Sequence, residues 1–459
     1  MLSPSAKSFT LAAVVVGATG MVVMWMRKGP QRRRAVKPTG LTVDHLRDPS
    51  IRENHLAFNE KLLREFPVDD AIELDDTLDG NPVFLVHRHE RVMEVISDHM
   101  TFSSNPWPTT RSLVTLNTME KADHDRVFKL LKKFYAPAWV AKLEDTFRSI
   151  VRTHGERFLQ DGDAFKFTKR FHMHLSLLTS GMFESLDIDD PAIDEFIAWN
   201  DAAVRLAAPI GGVGTQPMVT VSNIQRLMRG VCNSMRSLSG LVGRIGIVHT
   251  LRLIEPLESV FPSAPYTHCW DYPEELAKIP AYFNRLYDLM SAARVESPAG
   301  ALFTQIGYQV SASEAIATAV QLMVNMTTAN GLMNLIFRRC EDPSVGADQV
   351  LMDEAPLQRN PRRAKRDGRI GSVHVPKGSI ILLMIGSANK SCPVGATSTT
   401  FGFGLHHCLG RHLVSAEMRL VDEWLCENTD QSAMNLVEAQ RLSDRDVGNW
   451  GFTRLRVQF

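Results

Sequence analysis

Along this chain the apolar residues change their spacing several times. The first change is an uncharged run, residues 8–26, SFTLAAVVVGATGMVVMWM, followed by a basic stretch with Arg27, Lys28, Arg32, Arg33 and Arg34. As a helix the run would be about 28 Å long, close to the thickness of bilayer hydrocarbon. Further on, Val83, Leu85 and Val86 predict a strand, and Val92, Met93, Val95 and Ile96 the apolar face of a helix. From Lys121 to Trp199 the spacing is helical, with Pro137 and Pro191 as the expected breaks. Residues 208–270 are turn-rich around a helical IQRLMRGVCNSMRSL and read as an insertion or cap. Helical spacing returns from Leu276 to Arg339. IGSVHVPKGSIILLMIGSANK predicts short strands about a turn at Pro376-Lys377-Gly378. A last helix carries Leu409, Leu413, Ala416 and Leu420 on one stripe, and the end of the chain alternates Leu455, Val457 and Phe459 with polar residues, as a strand does. The pattern predicts a mainly α domain with small β-sheets, an α+β arrangement, without repeats.

Composition changes this picture little. The 459 residues are enough for a sizeable core, and 51 basic residues balance 51 acidic ones, so no global charge points to nucleic acid. Six scattered cysteines are too few and too irregular for a disulfide framework, which fits a reducing compartment. The basic flank of the uncharged run does matter. With only Lys7 and the amino terminus on its other side, the bias of positive charge predicts a single-pass membrane anchor, residues 1–37, with the remainder on the cytosolic face. A cleaved signal peptide is the rival, but the run ends in Met-Trp-Met-Arg rather than in small residues.

The densest chemistry lies in FGFGLHHCLGRHL, residues 401–413. His406, His407 and Cys408 are too close together to wrap one zinc ion, and no CxxC occurs. A phosphate loop would need a lysine followed by serine or threonine, and a redox pair a second cysteine. What is left is one thiolate at the mouth of a helix, in a glycine-rich loop that lets backbone N–H groups approach the sulfur. Such a sulfur suits an axial ligand to haem iron; the plainer alternative is a buried thiol in a glycine-rich turn.

The loop resembles the haem-binding signature of the cytochrome P450 superfamily, with Phe401, Gly404, His406, Cys408 and Gly410 at its five positions. The resemblance continues, in the family's order, through FSSNP (102–106), HDRVFKLLKKFYAP (124–137), FIAWNDAAVRL (196–206), TTANGLMNLI (327–336), APLQRNPRRAKRD (355–367) and VPKGSIILLMIGSAN (375–389). It implies a cytochrome P450 fold over residues 38–459, with residues 208–270 as an insertion. It implies haem b with Cys408 as the axial thiolate and metal ligand, and His124, Arg362 and His406 holding the propionates, where cations belong. It implies Thr327 as the hydroxyl on the oxygen side. Taken alone, Arg362 could be part of a solvated basic face and His124 an ordinary helix-surface histidine.

This sequence departs from the family pattern in three places. Met326 stands at the acid that precedes the threonine and Val324 at a glycine, and a methionine cannot relay a proton. The glutamate-x-x-arginine pair that braces the core behind the haem falls on Gln349 and Met352, while the string EAQR at 438–441 comes after the cysteine. No arginine lies among the eleven residues between Asn389 and Phe401, so the brace's third member is missing too. A half-kept buried charge network costs more than none. Phe128 replaces an arginine expected to reach a propionate, and the connection from Thr327 to Gln349 is short, as though one helix were trimmed.

The resemblance implies a monooxygenase that inserts one oxygen atom from O2 into an apolar small molecule. Its electrons would come from a separate reductase or ferredoxin, since no flavin or nicotinamide motif occurs. Two alternatives accommodate Met326: a haem-thiolate isomerase or dehydratase acting on a peroxide substrate, and a non-catalytic haem-binding protein. The anchor would place any of these at a membrane, endoplasmic-reticulum-like in a eukaryote.

Overall fold

The computed structural model describes residues 38–43, 45–78, 80–105, 115–207, 273–323, 326–430, 433–442 and 448–459. The predicted anchor, the 208–270 insertion and Val324 lie outside them. The compact unit runs from Gly40 to Phe459. Among the described residues no helix is long and apolar enough to cross a membrane.

The chain opens with helices α1 (Pro49–Glu53) and α2 (His55–Glu65), strands β1 (Ile72–Leu78) and β2 (Asn81–Val86), helix α3 (His89–Ser97) and the short strand β3 (Phe102–Ser103). Helices then dominate: α4 (Lys121–Leu131), a 3-10 turn at Lys132–Tyr135, α5 (Pro137–Ala141), α6 (Glu144–Asp161), α7 (Ala164–Ser180) and α8 (Pro191–Ala207). After the undescribed segment come α9 (Pro273–Ala292), α10 (Pro298–Thr304), α11 (Ala312–Met323), α12 (Met326–Glu341) and α13 (Ala347–Asp353). Strands β4 (Arg359–Ala364), β5 (Gly368–Ile370), β6 (Val373–Val375) and β7 (Ile380–Met384) lead to α14 (Ile385–Lys390). Helix α15 (Arg411–Asn428) and the hairpin β8 (Asn435–Arg441) and β9 (Phe452–Gln458) complete it. This is the predicted mainly α arrangement with small sheets.

The largest sheet has the order β1-β2-β7-β4-β3. Its centre is parallel, Leu85 beside Leu382, and β4 runs antiparallel to β7, Arg362 beside Ile381. Strand β7 is buried at every position, because both faces of the sheet are covered. Val83, Leu85, Ile380, Leu382 and Met384 pack one way, against Phe58 and Leu62 of α2. Phe84, Val86, Ile381 and Leu383 pack the other way, against Val92, Val95 and Ile96 of α3. Alternating side chains on adjacent strands thus split two apolar runs between two cores.

Two expectations need correction. The helical stretch 121–199 breaks not only near its prolines but also at Gly162 and Gly181, which end α6 and α7 in left-handed conformations. Gly162 also admits the final strand: a Cβ there would lie 2.1 Å from the Val457 carbonyl oxygen. The apolar run after Pro376 is not all strand, since residues 385–390 turn into α14. Its first five residues are buried on every side, so no amphipathic period marks the change. The short connection after Thr327 is seen directly: no helix separates Glu341 from Ala347.

The brace positions behave as their residue types require. Gln349 is exposed and donates to Asp353 on its own helix at 2.8 Å. Yet the chain does keep a buried charge network, one the sequence reading missed. Glu354, just past α13 and 2% exposed, accepts from Trp450 Nε1 at 2.9 Å and faces Arg441 at 3.5 Å and Arg338 at 3.6 Å. Arg441 lies over the rings of Phe337, Trp450 and Phe452 and donates to Asn334 at 3.0 Å. So the arginine of EAQR pairs not with Glu438, which meets Arg454 at the surface, but with Glu354. Removing one partner of a buried pair strands the other charge. Arg441→Ala is therefore expected to lower the unfolding free energy by about 3–5 kcal/mol. Urea denaturation measures it, and a loss below about 1 kcal/mol, the worth of a surface pair, would refute the brace.

Candidate functional site

Cys408 lies between a 3-10 turn, Gly404–His406, and α15. Its backbone N–H donates to the Phe401 carbonyl at 2.8 Å, which folds the loop back on itself. Gly404 has φ +66°, a conformation costly for a residue with a side chain, and this sets the turn before the cysteine. Gly410 is not left-handed; a Cβ there would sit at ordinary contact distance, 4.0 Å, from Sγ. Its N–H points at the sulfur instead. Burial pushes the Cys408 thiol up, and this N–H opposes the shift by favouring the thiolate. The buried Tyr135 is close enough for a thiolate at Cys408 to add to the upward shift that burial gives the phenol. Phe401 packs against the main core, with the Arg411 guanidinium 6.0 Å from its ring.

The sheet and α4 bring three of the sequence-predicted residues to one side of this loop. His124 and His406 meet edge to face at a centroid distance of 5.0 Å. His124 is 3% exposed and stacks on Phe128, so it is not a surface histidine. His406 is pulled down to about 3 by burial first, then by the charges of Arg362 and His124. Arg362, carried in by β4, is 6% exposed, so it is no part of a solvated face. It donates to Asn360 Oδ1 at 2.5 Å and to the Pro361 carbonyl at 2.8 Å. Burial lowers its guanidinium to about 10. Among the described residues no carboxylate pairs with it, and His124 Nδ1 is buried without a hydrogen-bond partner, while a backbone group of Leu116 lies near His406 and opposes its downward shift. The Asp125 carboxylate, 3.6 Å from His124, is too far to bond.

Burying the Arg362 guanidinium without a carboxylate partner is expensive unless an anion completes the site. A group carrying carboxylates would fit this donor set, with Cys408 as a further ligand to it. Sequence reasoning missed one member: Ser104, directly after β3, bonds His406 Nε2 at 2.8 Å. It lies inside FSSNP, but serine has no pattern that separates it from its neighbours.

Thr327 stands in the first turn of α12, partly exposed. Among the described residues no hydrogen bond or ring contact joins it to Cys408 or the three basic residues. Nearby, Asn200 of α8 donates to the carbonyl of Met323, the last residue of α11, at 3.0 Å and accepts from Tyr282 of α9 at 3.1 Å. In a continuous helix that carbonyl would take the Thr327 N–H. Two helices flanking the undescribed 208–272 segment are thus tied to the end of α11.

These elements define the cytochrome P450 fold. Among solved structures, the chain superposes on that of CYP109E1 from Bacillus megaterium in complex with testosterone with a TM-score of 0.66 and 17% identity, over 90% of this chain and 99% of that one. It superposes on that of P450BioI in complex with an acyl carrier protein ligated to hexadec-9Z-enoic acid with a TM-score of 0.64 and 15% identity, over 89% and 99%. By sequence it is similar to the provisionally named cytochrome P450 133B2 of Xylella fastidiosa, 27% identical over 286 residues, which are 54% of this chain and 68% of that protein. No family model matches the chain. The fold is therefore that of a cytochrome P450, and its curated relatives lie in that superfamily.

Proposed function

We propose that the chain is a haem-thiolate monooxygenase that inserts one oxygen atom from O2 into an apolar small molecule, using electrons from a separate reductase or ferredoxin. The observation that carries this reading is the Cys408 sulfur, with the Gly410 N–H turned toward it, in the same loop as His406, which meets the buried His124 and feels the charge of the buried Arg362, a guanidinium with no carboxylate partner among the described residues. Haem b, when bound, supplies the redox and oxygen-insertion chemistry. Cys408 would hold its iron. Arg362 would hold a propionate through charge, and His124 and His406 through N–H donors, with Ser104 fixing the His406 ring. Thr327 would supply a hydroxyl to the oxygen chemistry. The test is a spectrum of the reduced, carbon-monoxide-bound protein, followed by oxygen and peroxide consumption with a reductase. Absence of bound haem after expression with excess haem would overturn the reading.

Met326 favours a second reading, a haem-thiolate isomerase or dehydratase whose substrate already carries a peroxide. That chemistry needs no acid ahead of the threonine. Consumption of peroxide without consumption of oxygen would select it.

We also propose that residues 1–37 anchor the protein in a membrane, because the charge-free run and its basic flank precede every family-like segment. Deleting them is expected to release the protein from carbonate-washed membranes with its haem retained. A truncated protein that stays in the membrane fraction would show that another surface holds it.

A further inference from the structure

Gln349 and Met352 leave α13 without the charged pair that would tie it to the cysteine loop, and a different tie is present. Asn389, at the end of α14 and 3% exposed, is the hub of a neutral network. Its Nδ2 donates to the Met352 carbonyl at 3.1 Å and to Thr400 Oγ1 at 2.7 Å. Its Oδ1 accepts from the Thr399 N–H at 2.9 Å, Thr399 Oγ1 at 2.7 Å and Ser398 Oγ at 3.2 Å. Thr400 Oγ1 in turn donates to the Leu351 carbonyl at 2.7 Å. Asn389, with Thr400 bonded to it, therefore ties two carbonyls of the last turn of α13 to residues 398–400. The next residue is Phe401, whose carbonyl takes the Cys408 N–H.

We infer that Asn389 is a positioning residue that sets the cysteine loop against α13, in place of a charged brace. The physical case is threefold. The last carbonyls of a helix have no partner within it, and here two of them are met by side chains from α14 and the loop. Each of the bonds is buried or partly buried, so breaking one strands a desolvated donor or acceptor. And amide-to-hydroxyl bonds carry no net charge, so this network is not half of an ion pair. Eleven residues between Asn389 and Phe401 would otherwise be free to shift the sulfur relative to the Arg362 cluster. The role assigned to the sulfur rests on the haem-thiolate reading; the role assigned to Asn389 in fixing the loop does not.

The experiment compares the full-length protein with Asn389→Ala, Asn389→Asp and Thr400→Val by amide hydrogen exchange and by the reduced, carbon-monoxide-bound spectrum. Asn389→Asp keeps the acceptor oxygen and loses both N–H donors, and Thr400→Val keeps the shape and loses the hydroxyl's bonds to Asn389, Ser398 and the Leu351 carbonyl while leaving the bonds of Asn389 to Met352, Thr399 and Ser398 in place. Exchange across residues 398–408 is expected to rise roughly tenfold in Asn389→Ala, with strand β7 unchanged. Asn389→Asp and Thr400→Val are expected to show smaller increases of the same kind. The share of the spectrum in the thiolate-type band is expected to fall in the same order. If exchange rises equally everywhere, or not at all in 398–408, Asn389 does not position the loop. Should Asn389→Ala fail to fold, Thr400→Val decides by the same localised criterion. A native protein without a thiolate-type band overturns the haem-thiolate reading, and the exchange data still decide the fate of the Asn389 proposal.

Discussion

Replacing Cys408 by serine or by histidine is expected to abolish the thiolate-type band of the reduced, carbon-monoxide-bound protein. The serine variant keeps nearly the volume and the Phe401 hydrogen bond of the backbone, so the loop has no reason to unfold. It removes the soft, electron-rich sulfur, and a hydroxyl is neither ionised nor polarisable enough to replace it. Histidine is the sharper test, since it can bind iron through a nitrogen and give a spectrum of a different type while retaining haem. In both variants the Arg362, His124 and His406 cluster is untouched, so haem is expected to associate, more weakly. Survival of the thiolate-type band in either variant would mean that another cysteine serves. Cys392 is the nearest in sequence; its thiol lies near the carbonyls of Pro393, Ala396 and Thr397 at 3.7–3.8 Å, and burial raises it too.

The cysteine loop was legible because its chemistry is compressed into thirteen residues, and local chain geometry sets most of it. The helices were legible where one face alone is buried, as in α3 with Val92, Val95 and Ile96. Legibility failed where burial is complete, as in α14, whose first five residues carry no period at all. It also failed for contacts that join distant parts of the chain. Glu354 and Arg441 are 87 residues apart, and Ser104 and His406 are 302 apart. Nothing in the neighbourhood of Glu354 distinguishes it from the half-buried Asp353. The absence of the glutamate-x-x-arginine pair could be read from Gln349 and Met352, but not what replaces it. Asparagine, threonine and serine in SANKSCPVGATSTT look like an ordinary polar loop until Asn389 is seen to turn inward. Arg362 shows the reverse case. A run of basic residues looks solvated, and only the sheet's register separates the buried Arg362 from Arg363 beside it.

Met326 carries the largest mechanistic consequence. An acid positioned to deliver protons typically contributes roughly a hundredfold or more in rate, and a thioether has no proton to give. Driven by a reductase, the native protein is therefore expected to release most of its electrons as peroxide. Given peroxide directly it should turn over comparatively better, because the missing proton transfer then lies upstream. The double substitution Met326→Glu with Val324→Gly restores the acid and removes the branched side chain that the family pattern does not carry there. It is expected to raise product formed per reduced cofactor consumed, with any substrate that perturbs the haem spectrum, while peroxide-driven turnover changes little. The tie from Tyr282 through Asn200 to the Met323 carbonyl is expected to hold the end of α11 in both proteins, so the comparison reports on the proton donor rather than on a displaced helix. Tight coupling in the native protein would refute the argument, since some other group would then supply the proton. Haem-loaded protein that reacts with neither oxygen nor peroxide, before and after the substitution, would favour the non-catalytic haem-binding reading. In that case the buried Arg362 and the two histidines would serve to hold the cofactor, with no turnover to support.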